Sequence, residues 1–455
     1  MLISTPSLDR PGQPEHGTSA ALAVIGLALA FVAAHTALAV DRYDFDSYVH
    51  GALAQSFLYA LAVALLLWQR GCGSNLFLIL VMAIILRGIA MTTEPGLTSD
   101  AYRYVWDGRL TLAGLSPYLH IPADGQLAAF RDPAVFPHIN QRDTAFTIYP
   151  PAAQLVFAAG AWLDRIVGTG ADAGHNGMKA IMALFEVATI SALLVWLRTE
   201  GLPPERVLIY AWHPLPIWEF ASQIHIDAAA TTLLLLGVLA AVRSRQGLAG
   251  VLLALAALVK YFPVVLIPAL WKRWDWRMPT AFIATAAILY SPHLITAGTK
   301  VVGFVANHLD NEGYKQGWGF HVVWFLREFR LGDPSGTTYA MVALAALGVL
   351  AFITLFARGS DEIRPGQLVA LAAAFIWLTS SHYAWYFGWL IPLLVVYPHP
   401  AALLMTLTAA ALHHTRPPGG PTWTALYMLV YWAPLLLFIA LETWRIARHS
   451  HDRSN

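Results

Sequence analysis

The run Thr98-Ser99-Asp100-Ala101-Tyr102-Arg103-Tyr104-Val105-Trp106-Asp107-Gly108-Arg109, followed by Ala113-Gly114-Leu115-Ser116-Pro117-Tyr118, carries the strongest chemical signal in the chain. It lies within about ten residues of a long apolar stretch, which puts Asp100 at a membrane surface. A carboxylate there, near low-dielectric lipid and beside Arg103, can act as a general base on a hydroxyl. At helical spacing Asp100, Arg103 and Asp107 share one face and could hold a charged substrate group between them. The same residues also read as a helix with surface ion pairs and an aromatic anchor belt.

Lys260 is the best candidate cation. It stands beside Tyr261 and Pro263 in an apolar stretch, and an ionisable residue inside a span is a functional hypothesis by default. The alternative is a lysine that snorkels from a helix end to the interface. Arg103 and Lys315 are weaker candidates, each also readable as a loop charge. His225 and Asp227 are two apart and so point to different sides of a regular helix. At a helix start, Asp227 could cap while His225 faces an outer cavity, with Glu219 and Gln223 nearby; local satisfaction of these polar groups explains them equally. Asn307-His308-Leu309-Asp310 is a similar, less specific cluster. His382, Tyr383, Trp385 and Tyr386 read either as substrate contacts or as an interfacial aromatic belt. Glu186, mid-span, suits a buried hydrogen-bonding role. No HExxH, EF-hand or Walker pattern occurs, so neither metal nor cofactor is expected.

Most of the chain must be membrane to position these groups. Of 455 residues, 57% are hydrophobic and only 12% charged, roughly half the ~25% charge usual for soluble domains. The expected fold is an all-α polytopic transmembrane helix bundle of about 12–14 spans. Candidate spans cover residues 20–40, 52–69, 75–92, 178–197, 207–222, 226–243, 248–271, 279–295, 338–357, 366–381, 384–397, 401–414 and 423–444. Pro263 and Lys260 interrupt the 248–271 segment, which reads as two short helices. Residues 1–19, polar with three prolines, read as a disordered tail, and residues 20–455 as a single membrane-embedded domain. A net charge of +1 gives no reason to expect nucleic acid, and the lone Cys72 excludes a disulfide framework.

Orientation follows from the basic residues. With the N-terminus in the cytoplasm, Arg10, Arg70, Arg198, Arg206, Arg243, Arg245, Lys272, Arg273, Arg277, Arg358, Arg364, Arg445, Arg448 and Arg453 lie on that side. The short outward loops keep Arg42 and Arg416. This works only if residues 149–167 do not cross, so that segment reads as a helix that re-enters or lies along the outer leaflet from Pro150-Pro151. Two long outward segments remain, 93–177 and 296–337, and loops of this length are usually functional.

The run from Ser99 to Arg109 with the Ala113–Tyr118 motif, then His138-Ile139-Asn140 and Thr147-Ile148-Tyr149-Pro150-Pro151 with Gln154, resembles the GT-C superfamily of membrane glycosyltransferases. It is most similar to bacterial polyprenyl-phosphate-mannose-type mannosyltransferases. Tyr210-Ala211-Trp212-His213-Pro214 with Glu219, His225-Ile226-Asp227, Val259 to Pro263, and His382 to Tyr386 agree in order. The resemblance spans roughly residues 85–395. It implies GT-C-like outer loops with juxtamembrane helices, a sugar donor carried on a polyprenyl phosphate, and a lipid or glycan acceptor. It also implies inversion at the anomeric carbon and a site facing the periplasm or outside of a bacterial inner or plasma membrane. Asp100 matches the base. Related proteins often carry an acidic pair there, where this chain has Ser99-Asp100, and two spans precede the usual first helix. Lys260, with Arg103, His308 and His382, would meet the donor phosphate; Tyr102, His225, Asp227, Tyr261 and Tyr383 are the further substrate-binding expectations. Rival readings are a flippase or transporter for lipid-linked sugars, and a polysaccharide polymerase or ligase. A carrier often shows internal symmetry, and none is visible.

Overall fold

The computed structural model describes residues 15–68, 75–167, 174–307, 314–315, 320–356, 362–379, 383–414 and 421–454. Among them every regular element is helical. His308, His382 and residues 1–14 of the polar tail lie outside the described residues.

Six helices are long and apolar enough to cross a membrane: α1 (Glu15–Asp41), α2 (Phe45–Trp68), α6 (Asn176–Thr199), α10 (Arg277–Ala297), α12 (Gly336–Phe356) and α16 (Thr424–Arg445). A seventh is the broken pair α7 (Pro214–Ser222) and α8 (Asp227–Val242), bent by 119°. Five shorter apolar helices accompany them: α3 (Leu76–Met91), α9 (Gln246–Val259), α13 (Pro365–Thr379), α14 (Ala384–Val396) and α15 (Pro400–His413). Among the remaining helices are α4 (Asp100–Leu112), α5 (Pro151–Val167) and α11 (His321–Glu328). The chain is thus an all-α polytopic helical bundle, with these six or seven full-length candidates standing where twelve to fourteen spans were expected.

The core is laid down by helices that approach closely. α4 packs along α5, α5 on α6, and α9 between α8 and α10. Gly108 of α4 makes the first contact possible, because a Cβ there would sit 2.2 Å from the Phe157 carbonyl oxygen of α5. Small residues at helix crossings serve this purpose in lipid. Gly108→Ala is expected to force α4 and α5 apart and lower thermal stability by about 1–3 kcal/mol, the usual cost of overpacking a fitted contact. Unfolding in detergent, compared with wild type, checks this.

A buried ion pair joins α3 to α6. Arg87 of α3 donates to Glu186 of α6 through Nε at 2.9 Å and to the Ala211 carbonyl at 2.7 Å; the Tyr210 hydroxyl donates to the other Glu186 oxygen. Glu186 therefore has the buried hydrogen-bonding role its mid-span position suggested. The first two helices are fastened to the rest by polar contacts. Gln55 accepts from Trp218 Nε1 at 3.2 Å, Tyr59 donates to the Ile209 carbonyl at 2.7 Å, and Ser56 donates to the Leu407 carbonyl at 3.0 Å.

Three interruptions break the helical backbone near the polar centre of the bundle. Between α7 and α8, Ile224 sits at φ +65°, a conformation costly for a β-branched residue and sustained only by surrounding structure. After α9, Lys260 is extended (φ −154°, ψ 136°) before a short turn at Phe262–Leu266, so the 248–271 segment is indeed two pieces. Before α14, Tyr383 is also extended.

Candidate active site

The three breaks and the start of α4 meet around one group of polar side chains. Non-helical backbone at membrane depth is tolerated where protein or a cavity can satisfy it, and here the α3–α4 linker helps. Gln223 accepts from the Leu97 amide at 2.8 Å, and Thr93 and Ser222 share a hydroxyl contact of 2.7 Å. The linker thereby fixes both the bend before α8 and the residue with which α4 begins.

Asp100 opens α4, with its side chain 20% exposed. One oxygen accepts from Asn140 Nδ2 at 2.9 Å; the other lies 3.5 Å from the hydroxyls of both Tyr104 and Tyr149. Burial holds both phenols well above their ordinary pKa, so each stays a hydroxyl able to donate. Desolvation raises the Asp100 carboxyl above its ordinary value of 3.8, against the opposing pull of the Lys260 ammonium and of its three hydrogen-bond donors. A carboxylate made more basic while kept reachable suits proton abstraction.

Lys260 and Asp227 form the second part. The ammonium reaches both carboxylate oxygens, at 2.9 and 2.7 Å, and lies 4.5 Å from the centre of the Tyr386 ring. Asp227 is fully buried, whereas Lys260 keeps 21% of its side chain exposed. The lysine therefore offers a partly open cation whose rear is neutralised by a buried anion.

His225 completes the arrangement. It is fully buried and stacked on Trp385, ring centres 4.1 Å apart, and Trp385 stacks in turn on Tyr383 at 4.5 Å. Its Nδ1 lies 3.9 Å from the nearer Asp100 oxygen, and its Nε2 lies 3.4 Å from Glu219. Glu219, also fully buried, pairs through its other oxygen with His413 Nε2 at 2.8 Å. Tyr48 of α2 lies edge-on to both His413 and Trp218.

The structure brings Asp100, His225, Asp227, Lys260 and Tyr383 into one neighbourhood. Tyr261 lies next to it, 42% exposed, with its hydroxyl 3.0 Å from that of Tyr290. Arg103 and Tyr102 face elsewhere. Arg103 is buried against Asp107 at 3.0 Å and donates to the Ala145 carbonyl at 3.1 Å, so it pins the outer loop to α4. Burial raises the Asp107 carboxyl, and Arg103 opposes that shift. Tyr102 packs on His138, 4.8 Å between ring centres, and edge-on to His175. Asp100, Arg103 and Asp107 therefore do not form one open face.

Sequence reasoning quoted Tyr104, Asn140 and Tyr149 within motifs but gave them no role, and it did not name His413. Tyr104 was within reach of the pattern, because it falls one turn after Asp100. Asn140 and Tyr149 lie in a connection of irregular backbone whose path only the folded chain reveals. His413 is brought to Glu219 across 194 positions.

Residues 146–381, just over half the chain, match a family of membrane proteins described as Glycosyltransferase family 87. The matched stretch holds Glu219, His225, Asp227 and Lys260, while Asp100 and Tyr383 flank it. No curated protein matches the chain in sequence.

Proposed function

Because the chain belongs to glycosyltransferase family 87, a GT-C-type membrane family, we propose that it is an inverting transferase. In this reading it moves a hexose, mannose first among those to test, from a polyprenyl phosphate to a lipid or glycan hydroxyl. The reaction takes place on the outer face of the membrane, the side opposite most of the loop arginines and lysines.

The observation that carries this reading is Asp100, a reachable carboxylate made basic by its setting, in company with a partly open lysine. The acceptor hydroxyl gives its proton to Asp100 as its oxygen bonds to the anomeric carbon. The bond from that carbon to the phosphate oxygen breaks on the opposite side, and the electron pair leaves with the phosphate. A phosphate monoester is stable as an anion, so no acid is needed to protonate it. Lys260 supplies positive charge where negative charge develops, the usual large term in such catalysis. Tyr104, Tyr149 and Asn140 hold the carboxylate in position. Tyr383 and Trp385 offer aromatic faces for a sugar ring.

The test uses purified full-length protein in proteoliposomes, radiolabelled polyprenyl-phosphate mannose, and extracts of membrane lipid and envelope glycan as acceptor. Label is expected to move to a new product, whereas translocation of intact donor without transfer would identify a carrier. The pH dependence has a defined sign. Asp100 works ionised, and its pKa lies above 3.8; the transfer rate is therefore expected to fall as pH drops through that raised value and to level off above it.

A further inference from the structure

Asp100 ends each turnover of the proposed reaction protonated and must lose that proton before the next. Tyr104, Tyr149 and Asn140 donate to the carboxylate, and none is basic enough to hold the proton. One neighbour can. The His225 ring lies with Nδ1 3.9 Å from an Asp100 oxygen, and among the described residues this fully buried nitrogen has no hydrogen-bond partner. Behind the ring, Glu219 Oε2 sits 3.4 Å from Nε2, and Glu219 Oε1 is held by His413.

We propose that His225 is the proton acceptor of Asp100, with Glu219 and His413 as its positioning residues. The inference rests on the transferase reading and names a second group in that site. The Glu219 carboxylate, 3.4 Å from Nε2, favours the ring proton on that nitrogen, where Thr98 Oγ1 also lies at 3.5 Å, and the Nδ1 lone pair then faces Asp100. When the acceptor oxygen has bonded to the sugar and the phosphate has departed, the proton on Asp100 passes to Nδ1. The O–H bond on Asp100 breaks, an N–H bond forms, and Asp100 is ionised again. The imidazolium so formed faces the Glu219 carboxylate. The 3.9 Å gap is in the range that such contacts show before substrate closes a site.

Five groups set the charge around this ring: Asp100 from α4, Glu219 from α7, His413 from α15, Lys260 at the end of α9, and Asp227 at the start of α8. Burial, Lys260 and His413 all oppose a positive charge on the ring, and Asp227 neutralises Lys260 at 2.7 Å. Asp100 and Glu219 place a carboxylate on either side of the ring. Trp385, stacked on its face, prevents the ring from turning away.

The experiment compares wild type, Asp100→Asn, His225→Gln and His225→Ala, as full-length protein with radiolabelled polyprenyl-phosphate mannose. His225→Gln keeps a side chain able to donate to Glu219 but cannot carry a proton onward. It is expected to lower kcat by about tenfold to a hundredfold, in keeping with the worth of a proton-transfer partner, with the donor KM within about twofold. Imidazole added to His225→Ala is expected to restore much of the lost rate, in proportion to the neutral imidazole present. A ring that only packs against Trp385 would show no such dependence. Should His225→Gln fold poorly, the rescue of His225→Ala decides alone. The proposal is overturned if kcat stays within about threefold of wild type, if the loss lies wholly in KM, or if imidazole fails to rescue a folded His225→Ala. Wild type that transfers no sugar overturns the transferase reading and the relay with it; active wild type and inactive Asp100→Asn beside an unaffected His225→Gln overturn the relay alone.

Discussion

Asp100→Asn is expected to reduce sugar transfer by about 10²–10⁴-fold, the range general-base assistance commonly supplies. The amide fits the space of the carboxylate but cannot accept a proton from the acceptor alcohol. Asn140 donates to one oxygen at 2.9 Å, and both phenols approach the other. A well-oriented amide keeps one acceptor oxygen for these donors, so the fold is expected to survive. Burial disfavours the charged carboxyl, and its removal leaves no buried charge behind. The measurement is transfer rate alongside donor binding and thermal unfolding. Binding within a fewfold of wild type together with collapsed turnover is the expected pair of results. A rate within a fewfold of wild type would remove Asp100 from the reaction.

Lys260→Met carries the second large effect, and it falls on two quantities. Asp227 is fully buried and has both carboxylate oxygens on the lysine. Taking away one partner of a buried pair leaves an uncompensated charge, at a cost of about 3–5 kcal/mol. Donor binding should weaken as well, because a charge-assisted hydrogen bond to phosphate is worth about 1.5–3 kcal/mol, a rise in donor KM of roughly ten- to a hundredfold. The double variant Lys260→Met with Asp227→Asn separates the two. It removes the stranded charge, so unfolding should return to within about 1 kcal/mol of wild type, while the donor KM remains high. Recovery of donor binding in the double variant would show that Lys260 serves only to neutralise Asp227.

Much of the fold was legible because lipid imposes a simple rule on sequence: long apolar runs with little charge become helices. The break at Lys260 was also visible, because Pro263 and a lysine inside an apolar run do not continue a span comfortably. The interruption between α7 and α8 was legible as the gap between the 207–222 and 226–243 stretches and as a polar patch at His225 and Asp227, but its angle was not. Its 119° angle depends on Gln223 and Ser222 meeting the α3–α4 linker, a contact that no local pattern announces. In the site, Asp100 and Lys260 stood out because charge is expensive in such surroundings. Arg103 stood out for the same reason, yet the folded chain spends it on Asp107 and Ala145. Helical spacing showed that Arg103 and Asp107 could meet, but not that their meeting would close them off from Asp100.

The fastening of α2 has a consequence for biosynthesis. Ser56 is bonded to a carbonyl 351 positions later, and Tyr48 rests against His413. Translation delivers the first hairpin long before either seat exists, so nascent α1 and α2 must wait in the bilayer while most of the polypeptide is threaded in. Contacts of such long sequence separation form late because the intervening chain must first be ordered. Assembly of the site around Asp100 and Glu219 is thus tied to completion of the carboxyl-terminal helices.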